Sequence, residues 1–111
     1  MRLATVFHGG YDTHTNQANT HERLMGELCD AVAAFCKDLQ SQGNFNRVML
    51  MTFSEFGRRV DENASGGTDH GAASCLFVAG PSVKGGVVGK HPSLYETRLD
   101  ELDPSPIPLP I

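Results

Sequence analysis

The chain has 111 residues, of which 40% are hydrophobic and 20% are charged, and its formal net charge is −4 at pH 7. This length allows one small domain at most, and the apolar content is sufficient for a core. The longest basic run is Arg58-Arg59, so we do not expect nucleic acid as a partner. No apolar run approaches the ~20 residues that span a bilayer, and the N-terminal apolar stretch is too short for a secretory signal.

The first predicted element is a short strand over residues 3–7, an apolar run that we expect to be buried. Two glycines end it, and the polar segment "YDTHTNQANTH" that follows is typical of a loop. Asn19 with Glu22 three residues later resembles a capping box and predicts a helix start. Gly43 is a natural end for that helix.

Apolar residues within this helix recur at helical spacing, which predicts one long amphipathic helix. They are Leu24, Met25, Leu28, Cys29, Val32, Phe35, Cys36 and Leu39. Cys29 and Cys36 lie two turns apart on one face, which favours packing in the core. The three cysteines, an odd number without a CxxC pair, argue against a disulfide framework, and Cys75 is the third.

Two further apolar runs, residues 48–53 and 72–79, predict strands that are buried on both faces. The order strand, helix, strand, long loop, strand predicts an α/β fold with a partial parallel or mixed sheet. The glycine-rich residues 80–92 are expected to form loops around one short strand. Residues 96–111 are predicted to be an extended tail, because proline occupies every second position near their end. The first domain is therefore placed at residues 1–95.

One helix covers only one face of such a sheet, whereas buried strands need cover on both. The chain is therefore expected to be part of a larger domain, to need an N-terminal portion outside this sequence, or to self-associate.

Several residues with metal-binding side chains lie near the ends of the predicted strands. Asp12 and His14 lie two residues apart after the first strand, so in extended backbone both side chains point to one side. The alternative is an Asx turn at Asp12 with a solvated His14. His21 could also approach the same site, although it falls in the predicted first turn of the helix.

Asp69 and His70 are adjacent, and they can share a site only in a turn, for which Gly66, Gly67 and Gly71 supply the freedom. The alternative is a glycine turn that Asp69 caps. This pair precedes the third strand, so it reaches the edge that carries Asp12 only if the long loop doubles back.

A mixed Asp/His set suits zinc, manganese or iron better than calcium or magnesium. Such a metal can polarise an ester oxygen. Arg58 or Arg59 could hold a small anionic substrate by a bidentate contact, the alternative being a surface charge. Glu55 is either an acceptor for a histidine or a carboxylate at a helix start.

Three segments together, "HGGYDTHTNQ", "VMLMTFSEFGRRV" and "NASGGTDHGAASCLFVAGPSVKGG", resemble the domain-of-unknown-function family 1501. That family is similar to a branch of the alkaline phosphatase and sulfatase superfamily. The resemblance implies an α/β domain with a dinuclear metal site, zinc being the expected metal. It implies that Asp69 and His70 hold one metal, and that Asp12 and His14 belong to the other, with His21 as a competing assignment. His91 is the remaining candidate for a further histidine ligand.

The superfamily nucleophile has no counterpart in the chain, because Asp12 already corresponds to a late position in the superfamily. Cys75 also lacks the sulfatase pattern around it. Relatives are typically several times longer, so the resemblance is to the C-terminal portion of such a protein. It implies part of a metal-dependent phosphate or sulfate ester hydrolase, inactive alone, with a non-catalytic metal-binding or interaction domain as the alternative. Many relatives carry an export signal, which implies a periplasmic relative and leaves the localisation of this chain open.

Overall fold

The computed structural model describes residues 1–91, in which one long helix is the largest element. Helix α1 spans Gln17–Ser41, and a 3-10 turn follows at Phe45–Arg47. Four two-residue strands come next, namely β1 (Leu50–Met51), β2 (Gly57–Arg58), β3 (His70–Gly71) and β4 (Val78–Ala79). The described chain therefore combines helix and strand, as the α/β prediction required. The tail predicted over residues 96–111, and the boundary before it, lie outside the described residues.

Helix α1 confirms the predicted amphipathic helix, although fewer of its apolar residues are covered than the pattern suggested. Leu24 is buried at 2% exposure. The partly buried face continues through Leu28, Val32 and Cys36, which follow at i+4 spacing. Cys29 is exposed, so its predicted packing in the core is wrong.

The start of α1 is set by backbone contacts to another loop, and its end by a glycine. The Gln17 amide donates to the carbonyl of Gly66 at 2.9 Å, and the N-cap Asn16 has φ 45° without a side-chain cap. The capping box predicted at Asn19 is therefore wrong, because the 65–66 turn supplies the acceptor that a cap would otherwise provide. Gly43 has φ +69° just beyond the helix, as expected for a glycine stop.

The strands pair in two separate antiparallel ladders. β1 pairs with β4, with Leu50 opposite Ala79, and β2 pairs with β3, with Arg58 opposite His70. The expected parallel or mixed pairing is therefore wrong for the described pairs, and each predicted strand is much shorter than its apolar run. The reason is that no helix crosses over between paired strands, so the chain returns antiparallel.

Residues 3–7 do not form the predicted strand, and they are not buried. Leu3 is 90% and Phe7 is 86% exposed. An isolated strand is unstable without a ladder of partner hydrogen bonds, and the described chain offers this segment none. The short strand expected in residues 80–92 is likewise absent from its described part, where Val87 is 98% exposed.

Leu24 is the single large hydrophobic residue that is buried within residues 1–91. β1 and β4 leave Met51 and Val78 at 58% and 40% exposure, so the predicted burial of both strand faces is wrong here. Such a small core stabilises a domain weakly. We still predict that additional chain or a second copy covers these apolar faces. No helix within residues 1–91 has the length and apolar character needed to cross a membrane.

Candidate metal site

The β2–β3 ladder brings the two Asp/His pairs to one place. Pairing of Arg58 with His70 shows that the long loop between β2 and β3 doubles back, as the sequence argument demanded. The Arg59 amide donates to the Asp69 carbonyl at 2.8 Å, which extends this contact by one residue. The meeting point lies beside an antiparallel ladder, and not at the carboxyl edge of a parallel sheet.

Asp12 is the centre of a three-residue cluster. Its Oδ1 lies 2.8 Å from His70 Nε2 and 3.0 Å from His14 Nε2. One ligand atom from each of the three residues falls within 4.8 Å of the other two. The cluster therefore draws on both Asp/His pairs, whereas the family resemblance implied that each pair serves its own metal.

Asp69 lies on the opposite side of the His14 ring. Its Oδ1 is 3.0 Å from His14 Nδ1, while Asn63 donates to the same oxygen at 3.1 Å. A carboxylate on the second ring nitrogen is the usual way in which proteins orient a metal-binding histidine. Asp69 is thus placed to orient His14, and its predicted role as a direct ligand stays a prediction.

Asn63 also shapes the turn that carries Asp69. Its Oδ1 accepts from the amides of Ser65 and Gly67 at 2.9 and 3.0 Å, and its Nδ2 donates to the His14 carbonyl at 2.9 Å. One amide side chain therefore joins the 63–67 turn to the loop that carries His14. Asn63 was not singled out from the sequence, and the only signal was an asparagine just ahead of a glycine turn.

The paired glycines of "GGTDHG" have distinct roles. Gly66 adopts φ +72°, a left-handed conformation that favours glycine. At Gly67 an ideal Cβ would lie 2.5 Å from both the carbonyl carbon and the oxygen of His14. Gly67 is therefore required for close approach of the two loops, and Gly66 for the turn itself.

The charges in the cluster reinforce one another. Hydrogen bonds from His70 and then His14 lower the pKa of Asp12. Hydrogen bonds from His14 and then Asn63 lower the pKa of Asp69. His14, which lies between the two carboxylates, has a raised pKa, chiefly through Asp69. The side chains of Asp12 and His70 are 65% and 39% exposed, so an ion or a substrate can reach them from solvent.

Arg58 contacts backbone carbonyls, which differs from the predicted contact with a substrate. Its guanidinium donates to the carbonyls of Tyr11, Thr13 and Thr68. It also donates to the hydroxyls of Thr13 and Thr68 at 3.3 and 3.1 Å. Both terminal nitrogens are thus occupied within the protein.

Phe56 is a further neighbour of the cluster that sequence reasoning missed. Its ring stacks on His70 with centroids 4.1 Å apart and an interplanar angle of 16°. The Arg58 guanidinium carbon lies 5.3 Å from the centroid of the same ring. Phe56 belongs to the "EFGR" part of a segment that carries the family resemblance. That resemblance did not predict the stacking of Phe56 on His70.

The remaining predicted site residues lie outside the three-residue cluster. His21 Nε2 is 3.2 Å from Gln17 Nε2, and its ring packs edge-on against Tyr11. Burial and then the charge of Arg58 lower the pKa of His21. His91 and Glu55 are exposed, and neither belongs to the cluster found within the described chain.

The geometry of the cluster fits a divalent metal. Two ligand atoms on one zinc ion lie at most about 4.4 Å apart, since each bond is at most ~2.2 Å. The 2.8 and 3.0 Å contacts of Asp12 already lie inside that limit. All three ligand atoms lie within 4.8 Å of one another, so only a small movement of the side chains would bring each pair inside that limit. A carboxylate with two imidazoles is also a donor set suited to zinc, manganese or iron.

Comparison with known proteins places the chain in a family. No curated protein and no solved structure gives a significant match. A family model described as "Protein of unknown function (DUF1501)" matches residues 1–101. The match covers most of the 111 residues and includes both Asp/His pairs, so the chain belongs to the DUF1501 family.

Proposed function

We propose that this chain carries metal ligands of a metal-dependent hydrolase that acts on phosphate or sulfate esters. Asp12, His14 and His70 hold the ion, and Asp69 orients His14. Zinc is the proposed metal, with manganese and iron as the alternatives. The alkaline phosphatase and sulfatase superfamily, a fragment of which this chain resembles, supports the reaction class.

A single observation carries the proposal, namely the convergence of one carboxylate and two imidazoles from segments far apart in sequence. Asp12 and His70 are 58 residues apart, yet their side chains make a 2.8 Å contact. Exposed acidic groups often gather without binding a metal, but two histidines around the same carboxylate oxygen form a more selective arrangement.

The residues of the chain fix the ligands before an ion arrives. Asp69 occupies His14 Nδ1, which leaves Nε2 directed to Asp12. A bound divalent metal would supply Lewis acidity toward an ester oxygen. The solvent exposure of the cluster gives a small anionic ester access, and a second ion, as implied by the resemblance, would make the site dinuclear.

A second candidate function is metal binding without catalysis. The hydroxyls that flank the ligands, Thr13 and Thr68, both accept hydrogen bonds from Arg58. Thr68 also donates to Gln17 at 2.9 Å. These hydroxyls are engaged in holding the loops, which favours an isolated chain that binds metal but does not turn over an ester.

The first experiment measures metal bound per chain, by elemental analysis after dialysis. We expect close to one ion per chain in the wild type and little in the variants His14→Ala and His70→Ala. His21→Ala is the matched control, since it removes a histidine outside the cluster, and it should keep its metal. Circular dichroism verifies that all four proteins contain α1. Equal metal content in all four folded proteins would reject the proposed ligands.

The second experiment tests whether the chain hydrolyses an ester by itself. Hydrolysis of p-nitrophenyl phosphate and p-nitrophenyl sulfate is followed with the zinc-loaded chain. We expect no efficient turnover by this chain, because the hydroxyls beside the ligands are engaged in holding the loops. Turnover that disappears in His70→Ala would show that the chain itself is a hydrolase.

A further inference from the structure

We infer that Arg58 and Phe56 are positioning residues of the metal site, which hold the two ligand-bearing loops together and orient His70. The inference rests on the proposed function for the identity of the ligands. The contacts that carry it are independent of any metal.

Arg58 joins the two loops through their backbones. The carbonyls of Tyr11 and Thr13, which accept from its guanidinium, flank Asp12, and Thr13 directly precedes His14. The third carbonyl, that of Thr68, directly precedes Asp69. The Arg58 side chain therefore binds the backbone immediately beside both Asp/His pairs.

The guanidinium suits this task because its donors form a rigid planar fork. Donors with fixed directions can meet several carbonyls at once, whereas a lysine ammonium is a single compact centre on a flexible stem. The backbone of Arg58 is itself held, since its amide donates to Ala73 at 2.7 Å and its carbonyl accepts from Ala73 at 2.9 Å. The side chain thus extends from an anchored strand to two otherwise irregular loops.

Phe56 holds the imidazole of His70 in a fixed orientation. Its ring contacts both the guanidinium of Arg58 and the imidazole of His70, and it is parallel to the imidazole within 16°. A stacked neighbour restricts rotation of the imidazole about its side-chain bonds. His70 Nε2 is thereby kept directed to Asp12, at 2.8 Å.

The physical consequence is a site that is assembled before the ion binds. Without the Arg58 contacts, metal binding would have to order both loops and would lose affinity for that reason. Residues that orient metal ligands typically change metal affinity by about 10- to 100-fold when they are replaced. We expect a loss in this range for Arg58→Lys.

The test compares Arg58→Lys with the wild type and with Arg47→Lys as a matched control. Arg47 lies in the 3-10 turn, away from the site, and its side chain makes a 3.4 Å contact with Asn44. Cobalt(II) affinity is measured by calorimetry, and its visible absorption spectrum reports the ligand geometry. We expect Arg58→Lys to bind cobalt at least ~10-fold more weakly, with an altered spectrum, and Arg47→Lys to match the wild type.

Hydrogen exchange, measured with chelator present, makes the test independent of the metal. The amides of Asn16 and Gln17 donate across the loops to Ser65 and Gly66. In Arg58→Lys these two amides should exchange at least ~10-fold faster, while amides in the second half of α1 keep their rates. If the wild type binds no cobalt, the proposed function fails, and the exchange result alone decides the role of Arg58.

An Arg58→Lys protein with wild-type exchange, affinity and spectrum would overturn the inference. Should Arg58→Lys lose its helical circular dichroism, Phe56→Leu carries the same measurements. This variant removes the ring that stacks on His70 and leaves the hydrogen bonds of Arg58 in place. A wild-type spectrum and affinity in folded Phe56→Leu would reject the positioning role.

Discussion

Replacing Gly67 by alanine should separate the two loops that form the site. An ideal Cβ at this position would lie 2.5 Å from the carbonyl carbon and oxygen of His14 and 2.9 Å from the Thr15 nitrogen. Non-bonded carbon atoms prefer about 3.5–4.0 Å, so the loops must move apart by about 1 Å. The 2.9 Å hydrogen bond from Asn63 to the His14 carbonyl would then stretch beyond bonding range.

The expected change in the free energy of unfolding combines two losses and one gain. Overpacking typically destabilises a protein by about 1–3 kcal/mol, and a lost hydrogen bond adds about 0.5–1.5 kcal/mol. Against this, alanine restricts the unfolded chain relative to glycine, which contributes about 0.4–1 kcal/mol in the other direction. The net expectation is a loss of about 0.5–4 kcal/mol in the free energy of unfolding, together with weaker metal binding.

Two other glycine variants serve as matched controls. Gly26 lies within α1, and a Cβ there meets no atom within 4 Å. Gly26→Ala should therefore stabilise the helix by about 0.5–1 kcal/mol. A Cβ at Gly66 would make only ordinary van der Waals contacts with Asn16, at 3.7–3.9 Å, but φ is +72°, so Gly66→Ala should cost about 1–2 kcal/mol through backbone strain alone.

Urea unfolding followed by circular dichroism, with and without zinc, measures these changes. A difference of about 2 kcal/mol shifts the urea midpoint by about 1 M for a small domain. If Gly67→Ala unfolds at the same urea concentration as Gly26→Ala and binds zinc equally well, the close approach of the two loops is not part of the native structure. The explanation given for the glycine pair would then be refuted.

Two further predictions concern the core and the charges. Leu24→Ala should lower the free energy of unfolding by about 2–5 kcal/mol, because Leu24 is only 2% exposed, whereas Leu3→Ala, at a position 90% exposed, should leave it unchanged in the same urea titration. With chelator present, stability should be greatest between about pH 4 and 6.5, the ordinary pKa values of Asp and His. The contributions of Asp12 and Asp69, whose pKa values are lowered, disappear as the pH falls through those lowered values, and that of His14, whose pKa is raised, disappears as the pH rises through it. Thermal melts across pH check this expectation, and a His14→Ala profile that keeps the same shape would contradict it.

The long helix and the chemistry of the candidate ligands could be predicted from the sequence. Helix α1 depends on contacts between residues three and four apart, so its periodicity is visible along the chain. The residue types of Asp12, His14, Asp69 and His70 limit what the site can bind, whatever the fold. The family signature also lies in the order and spacing of short motifs, and the family match supports it.

Strand pairing depended on contacts between distant residues, and the sequence argument failed there. Apolar runs indicated strands but not their partners, and the expected parallel order became two antiparallel ladders. The segment over residues 3–7 illustrates the reason. Its composition favours a strand, yet a strand is stable only when another segment supplies a ladder and cover.

Which atoms of the site meet depends on the fold of the whole described chain. Asp12 shares one oxygen between two histidines, and Asp69 contacts the far nitrogen of His14. Arg58 was expected to contact a substrate, but its guanidinium binds the carbonyls of the two loops. The contacts of His70 with Asp12, of Asp69 with His14 and of Arg58 with Thr13 join residues 58, 55 and 45 positions apart. Their geometry is fixed by how the loops fold back on β2 and β3. Side-chain chemistry is therefore a local property of the sequence, whereas the partners of each side chain are a property of the fold.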